Sequence, residues 1–138
     1  MEYNLGSATD ISTAFRTGRA ALSAHNTADA LAQRDIIVAE VKQMQAGMAI
    51  HYLNDVKTKV ADGADQSAIN HSMSEALAFI FGIQFISETP DMSTADVMAL
   101  VSQIEPAVAD FTMNLTLIND AINQVAAATG LESVKDLL

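Results

Sequence analysis

The chain has 138 residues, half of them hydrophobic and 17% charged, so it can bury a core and is too apolar to be intrinsically disordered. It has no cysteine, which excludes a disulfide framework, a thiolate metal site and a cysteine nucleophile. The net charge is −10, and the stretch between Lys59 and Lys135 holds ten acidic residues and no basic ones, which predicts no nucleic-acid partner.

Apolar residues spaced by three and four predict two helices in the first part of the chain. Thr9 or Asp10 can cap the first helix, which runs to about Ala24. A turn then leads into a long second helix from Thr27 to Ala61. The apolar stripe of this second helix consists of Ile37, Val41, Met44, Met48, Tyr52, Val56 and Val60.

A third helix is predicted from about Gln66 to Ile86, antiparallel to the second because only a short turn separates them. It is apolar on several sides, a pattern typical of a central helix. We therefore expect this helix to form the centre of the core, with Ile80 buried in it.

Two further helices complete the predicted set. Ser93 and Asp96 resemble a capping box for a fourth helix that reaches Ile104, before Pro106 interrupts it. A connection at residues 110–114 follows. Thr116 can then cap a last helix, for which Gly130 is a suitable stop.

These elements predict an all-α fold, an antiparallel helical bundle of about four to five helices in a single domain, residues 1–138. The longest apolar stretch, Ala76–Ile86, is too short to span a membrane, which predicts no transmembrane segment. The start contains Glu2 and does not resemble a signal peptide, so we expect the chain to be either cytosolic or cut from something longer.

Gly18, Gly47 and Gly82 each lie inside a predicted helix, where glycine costs about 1 kcal/mol relative to alanine. The interpretation that we favour is close approach of two helices. The alternative is a ligand lying against bare backbone.

One pair of residues is a candidate for a set of adjacent ligands. His71 and Glu75 lie four apart on the third helix and share a face, so with further ligands from elsewhere they could hold a metal or a polar ligand. A helix-surface hydrogen bond, an ion pair or a packing contact is the simpler interpretation, and we prefer it. Of the other histidines, we expect His51 to be partly buried and His25 to be solvated.

The same face of the third helix continues through Ala78, Gly82 and Phe85, roughly opposite the apolar residues expected in the core. This stripe could line a ligand cleft or meet another part of a larger protein. It could equally pack on another helix of the same bundle. No diiron Glu-x-x-His pair, zinc-protease motif or nucleophile elbow is present, so we assign no catalytic residue.

Three segments in order, Phe15–Ala21, Ala49–Asn54 and His71–Phe79, carry a resemblance to a known family. Their succession is similar to the C-terminal half of a domain of unknown function allied to the imelysins, a bacterial envelope family. The resemblance covers roughly residues 10–131.

The resemblance implies a helical bundle in a periplasmic protein or outer-membrane lipoprotein associated with iron-regulated uptake. Some imelysin-like proteins are classed as metallopeptidases, and their signature is a Gly-x-His-x-x-Glu or related motif in the N-terminal half. Here the residues three after the histidines are Ala28, Asn54 and Ser74, so no catalytic or metal residue is carried over. Iron or another divalent metal is then expected only in the full-length protein.

Two hypotheses follow. In the first, the chain is the non-catalytic C-terminal part of an imelysin-like protein, its partner is the N-terminal half of that protein, and it helps to bind iron or an iron carrier. In the second, it is a freestanding acidic interaction module that associates with another copy of itself or binds a protein partner.

Overall fold

The structure of the chain, a computed structural model, describes residues 5–109 and 114–138. These residues form five α-helices and one short 3₁₀ helix, η1, and no strand, which confirms the predicted all-α bundle. The helices are α1 (Ser7–Ser23), α2 (Thr27–Ala61), α3 (Gln66–Gly82), η1 (Ile83–Phe85), α4 (Thr94–Ala109) and α5 (Leu115–Thr129). None of the described helices is long and apolar enough to cross a membrane.

The centre of the fold is α2 rather than α3. The 35 residues of α2 pack against α1, α3 and α5, whereas α3 packs mainly against α2 and α4. Ile80 of α3 is fully buried, as expected, but Phe81 and Phe85 remain 44% and 68% exposed. The prediction that α3 is the central helix was therefore wrong, because its several apolar sides are not all covered.

The core lies towards one end of α2. In this helix buried residues begin at Ala46, and α1 buries only Ser7 and Ala14. Val41 and Met44, from the apolar stripe that predicted α2, are exposed because no described element covers them. The largest fully buried core side chains are those of Ile50, Leu53, Met73, Ile80, Leu100, Ile104 and Ile118.

Several helix ends lie where local signals in the sequence predict them. The predicted bounds of α2 are confirmed, and the Asn26 side chain caps this helix by accepting from the backbone N–H of Asp29 at 3.2 Å. The capping box is also confirmed, since the Ser93 hydroxyl accepts from the Asp96 N–H at 3.2 Å. Gly130 ends α5 with a φ of 74°, a conformation that glycine adopts without steric cost.

Two helix starts differ from the prediction. α1 begins at Ser7, after Gly6 in a left-handed conformation, and not at a cap formed by Thr9 or Asp10. α5 is capped by Asn114, whose side chain accepts from the N–H groups of Thr116 and Leu117, so Thr116 lies inside the first turn. In both cases a residue suited to the cap stands shortly before the predicted one, and the helix begins there.

Two helix ends were also predicted wrongly. α4 continues past Pro106 to Ala109; a proline so near a helix end removes one backbone hydrogen bond without ending the helix. α3 stops at Gly82 and is followed by the 3₁₀ helix instead of continuing to Ile86, a tightening that is common at helix termini. Of the predicted connection at 110–114, residues 110–113 lie outside the described part of the chain.

The glycines inside helices stand where a neighbouring side chain comes close. A Cβ added at Gly18 would lie 3.3 Å from the Cβ of Gln33, and one added at Gly47 would lie 2.9 Å from the Leu5 side chain. At Gly82 it would overlap the amide of Gln45. Close approach of two helices is therefore confirmed at Gly18 and Gly82, whereas the residue that approaches Gly47, Leu5, lies before α1 and not in a helix.

Polar side chains of α2 tie it to distant backbone. Lys42 donates to the carbonyl of Thr89 at 2.5 Å and forms an ion pair with Asp91 at 2.9 Å. Gln43 donates to the carbonyl of Thr129 at 3.1 Å, at the C-terminal end of α5. These bonds lie where α2 leaves the bundle, and α1 packs beside the first part of α2 that continues beyond this point.

Candidate functional site

The structure leaves the predicted pair on α3 accessible. His71 is exposed and Glu75 is partly buried, so neither is sealed beneath another helix. No group of three or more histidine, aspartate or glutamate side chains in the described residues could hold a metal ion. The pair thus has no further carboxylate or imidazole ligand in this part of the chain, and its role stays a prediction.

The stripe on α3 that includes this pair is partly exposed and partly packed against α2. His71, Ala78 and Phe85 face solvent, whereas Gly82 packs against the Gln45 side chain of α2. The alternative that the stripe packs on another helix of the bundle therefore holds at Gly82 and not at the three exposed residues. His51 is partly buried, with its ring 5.3 Å from that of Tyr52, and His25 is exposed in the α1–α2 turn, as both were expected to be.

A polar cluster that the sequence analysis missed joins α2 to α3. The Ser72 hydroxyl donates to a carboxylate oxygen of Asp55 at 2.6 Å and accepts from the ammonium of Lys59, also at 2.6 Å. Lys59 and Asp55 form an ion pair at 2.8 Å one turn apart on α2. The i,i+4 spacing of Asp55 and Lys59 is visible in the sequence, but their partner Ser72 depends on how α3 packs.

The electrostatics of this cluster favour the charged carboxylate. Burial raises the pKa of Asp55, but hydrogen bonds from Lys59 and Ser72 and the charges of Lys59 and His51 outweigh it, so the pKa is lowered from 3.8. Ser72 is fully buried and Lys59 is paired with Asp55. A nucleophile must reach a substrate, so we assign the cluster to holding α2 against α3 and not to catalysis.

A feature open to a ligand lies elsewhere, between α1 and the first part of α2. Here an apolar groove of about 440 Å³, open to solvent, is lined by residues of both helices. Phe15 and Leu22 of α1 stand on one side, each 62% exposed, and Ile37 and Val38 of α2 stand on the other. We call this feature the hairpin groove.

The local sequence explains why the groove is open. The two helices approach closely at Gly18 and Gln33, so no side chain of α1 fills the space between them there. Phe15 and Leu22 lie seven residues apart and so share a face of α1 beside this contact. A solitary exposed apolar residue is normal on a protein surface, but a contiguous apolar groove is typical of an interaction site.

Charge on the groove is of one sign. Arg19 and Arg34 are the charged residues among its described lining, which includes no carboxylate. Arg34 forms an ion pair with the neighbouring Asp35 at 2.6 Å, but both side chains are about two-thirds exposed, so the pair contributes little energy. The sequence analysis missed the groove because the pattern of α1 predicts which face is apolar and not which element covers it.

Comparison with known families places the chain in one of them. The family model described as Domain of unknown function (DUF4856) matches residues 2–129, which is nearly the whole chain. The chain belongs to this family. No curated protein and no solved structure matches it.

Proposed function

We propose that this member of the DUF4856 family is a helical interaction module, which receives an α-helix of a partner protein in the hairpin groove. The observation that carries the proposal is the groove itself, with Phe15 and Leu22 each 62% exposed beside an apolar floor. A helix seated there would remove both side chains from water, at about 25 cal/mol for each Å² of apolar surface buried.

The shape and lining of the groove favour a helix over a small molecule. Two helices packed side by side leave a furrow into which the apolar ridge of a third helix fits. Sites for small molecules usually enclose most of the ligand and place several polar groups around it. The hairpin groove is open, and apart from Gln33 and the two arginines its lining is apolar.

A direct test uses a fluorescein-labelled amphipathic peptide of about 18 residues, with a leucine face and glutamine on its other positions. We expect saturable binding by fluorescence anisotropy, with amide shifts in NMR spectra confined to α1 and the first part of α2. Leu22→Gln should weaken binding by at least about tenfold, because it places an amide in the apolar interface.

Phe85→Gln is the matched control, because Phe85 is at least as exposed as Leu22 but lies outside the groove. This variant should bind the peptide like the parent chain. No saturable binding, or equal weakening by the two substitutions, would contradict the proposal.

A second proposal rests on the three ordered segments that resemble the imelysin-like envelope proteins. In it, the chain is the non-catalytic helical half of a periplasmic or outer-membrane protein that takes part in iron or iron-carrier uptake. Deletion of the encoding gene should then slow growth under iron limitation, with restoration by added iron. Equal growth of the deletion and parent strains under iron limitation would exclude this role.

A further inference from the structure

The hairpin groove continues an interface that already exists inside the molecule. Gln45 of α2 donates to the carbonyl of Phe79 in α3 at 2.8 Å and lies against Gly82, so this side of α2 faces α3. At 3.6 residues per turn, Arg34 and Val38 lie within about 40° of the same line along α2. Both residues line the groove. The groove residues Arg34 and Val38 therefore lie near the side of α2 that packs against α3 farther along the helix.

The lining of the groove sets the length over which an occupant is held. α3 runs antiparallel to α2 and stops at Gly82; η1 and the segment that reaches Asp91 then lie against α2 as far as Lys42. The groove lining on α2 begins at Val38, and from Val38 back to Ala30 is eight residues, about 12 Å at 1.5 Å per residue. A helix bound along this length would contact the groove over about two turns.

The charges select the chemistry of that occupant. Arg19 and Arg34 line the groove, and none of the described lining residues is acidic. The complement is a helix with an apolar face flanked by Asp or Glu, since opposite charges at the rim raise the association rate and oppose wrong partners.

A second copy of this chain fits the groove less well. Two copies meeting groove to groove would bring four arginines into one interface, with no carboxylate among the described lining residues. The occupant is therefore sought in a different polypeptide.

We infer that the hairpin groove binds an acidic amphipathic helix from another protein, which contacts the groove over about two turns. This inference rests on the proposed function and adds to it the charge of the partner and the length over which the partner is bound. The arginines set the preference, and the apolar floor supplies most of the affinity.

The test compares three labelled peptides that share one leucine face and carry glutamate, glutamine or lysine at the flanking positions. The glutamate peptide should bind most tightly, at least about fivefold more tightly than the glutamine peptide at low salt. The lysine peptide should bind most weakly. Raising the ionic strength to 0.5 M should shrink these differences, because salt screens exposed charges.

Charge reversal at the groove provides the decisive variant. The double substitution Arg19→Glu with Arg34→Glu should invert the order, so that the lysine peptide binds more tightly than the glutamate peptide. Arg16→Glu, which changes a basic residue of α1 outside the lining, should leave the order unchanged. Circular dichroism spectra that match the parent chain establish that both variants fold.

Each other outcome overturns the inference in a recognisable way. If the glutamine peptide binds in the groove but the glutamate peptide binds no better, the proposed function stands and the acidic partner is wrong. If none of the peptides binds, both fail. Sedimentation showing a dimer that Leu22→Gln dissociates would identify a second copy as the occupant instead.

Discussion

The two ends of α2 differ in what covers them. From Ala46 onwards six residues of α2 are buried, and α3 and α5 pack against this part of the helix. Before Ala46 none is buried, and Leu31, Ile36, Val41 and Met44 are all more than one-third exposed. One helix thus serves as the centre of a core at one end and as half of an open hairpin at the other.

The comparison teaches that apolar spacing and burial are separate properties of a helix. The same three-and-four spacing runs through both parts of α2, because it is what keeps apolar residues on one side. Burial depends on whether a further element lies on that side. In the second part of α2 those elements belong to this chain, and in the first part we assign one of them to a partner.

The largest expected effect compares one leucine from each part of α2. Leu53→Ala should destabilise the chain by about 2–5 kcal/mol, because Leu53 is fully buried and its loss leaves a cavity. Leu31→Ala should cost less than about 0.5 kcal/mol, since Leu31 is 47% exposed. Urea unfolding of the two variants and the parent measures both values, and similar losses would mean that the two parts of α2 are equally packed.

Part of this contrast could be predicted from the sequence, and part could not. The Ser93–Asp96 pair and Gly130 act within one turn of a helix end, so their signals are local and were interpreted correctly. The burial of Ile80 followed from the apolar character of α3. The exposure of Val41 did not follow from spacing, because it depends on where α3 ends.

The cluster of Asp55, Lys59 and Ser72 and the hairpin groove could not be predicted from the sequence, and the physical reason is the same for both. Ser72 meets Asp55 and Lys59 only once α2 and α3 have a fixed register, which no local pattern specifies. The groove likewise depends on the close contact at Gly18 and on the absence of a covering helix among the described residues. Both are tertiary properties of a chain whose helices are nevertheless predictable.

A smaller effect is expected where polar contacts hold α2 in the bundle. Ser72→Ala should destabilise by about 1–2 kcal/mol, because it removes a fully buried hydroxyl that bonds to both Asp55 and Lys59. Ser74→Ala is the matched control: the Ser74 hydroxyl is exposed and donates only to the carbonyl of His71 on its own helix. Equal unfolding midpoints for the two variants would show that the cluster adds no stability.

The same cluster gives a pH dependence with a definite sign. Because the pKa of Asp55 is lowered from 3.8 in the folded chain, its charge stabilises the fold above about pH 5, and this contribution is lost as the pH falls through and below 3.8. Asp55→Asn should therefore be less stable than the parent by about 1 kcal/mol at pH 7, and the difference should shrink at pH 3.

Stability curves in urea at several pH values measure that difference. Asp120→Asn, an exposed change of the same kind on α5, controls for the loss of one negative charge from a chain with net charge −10. If the difference in free energy of unfolding between Asp55→Asn and the parent grows on acidification, the predicted contribution of the Asp55 charge is contradicted.

The smallest expected effect on stability accompanies the largest expected effect on binding. Leu22→Gln should change the free energy of unfolding by less than about 0.5 kcal/mol, because Leu22 is 62% exposed and its replacement leaves no cavity. The same substitution should abolish most peptide binding, since in the complex the amide would be buried without a hydrogen-bond partner. A substitution in the core cannot weaken binding and leave stability unchanged, because the packing partners of a core residue belong to its own chain.

Parallel urea unfolding and anisotropy titrations of Leu22→Gln measure the two effects. A loss of stability above about 1.5 kcal/mol would mean that Leu22 already packs within the folded chain, so that the groove is part of its own core and not a surface kept for a partner.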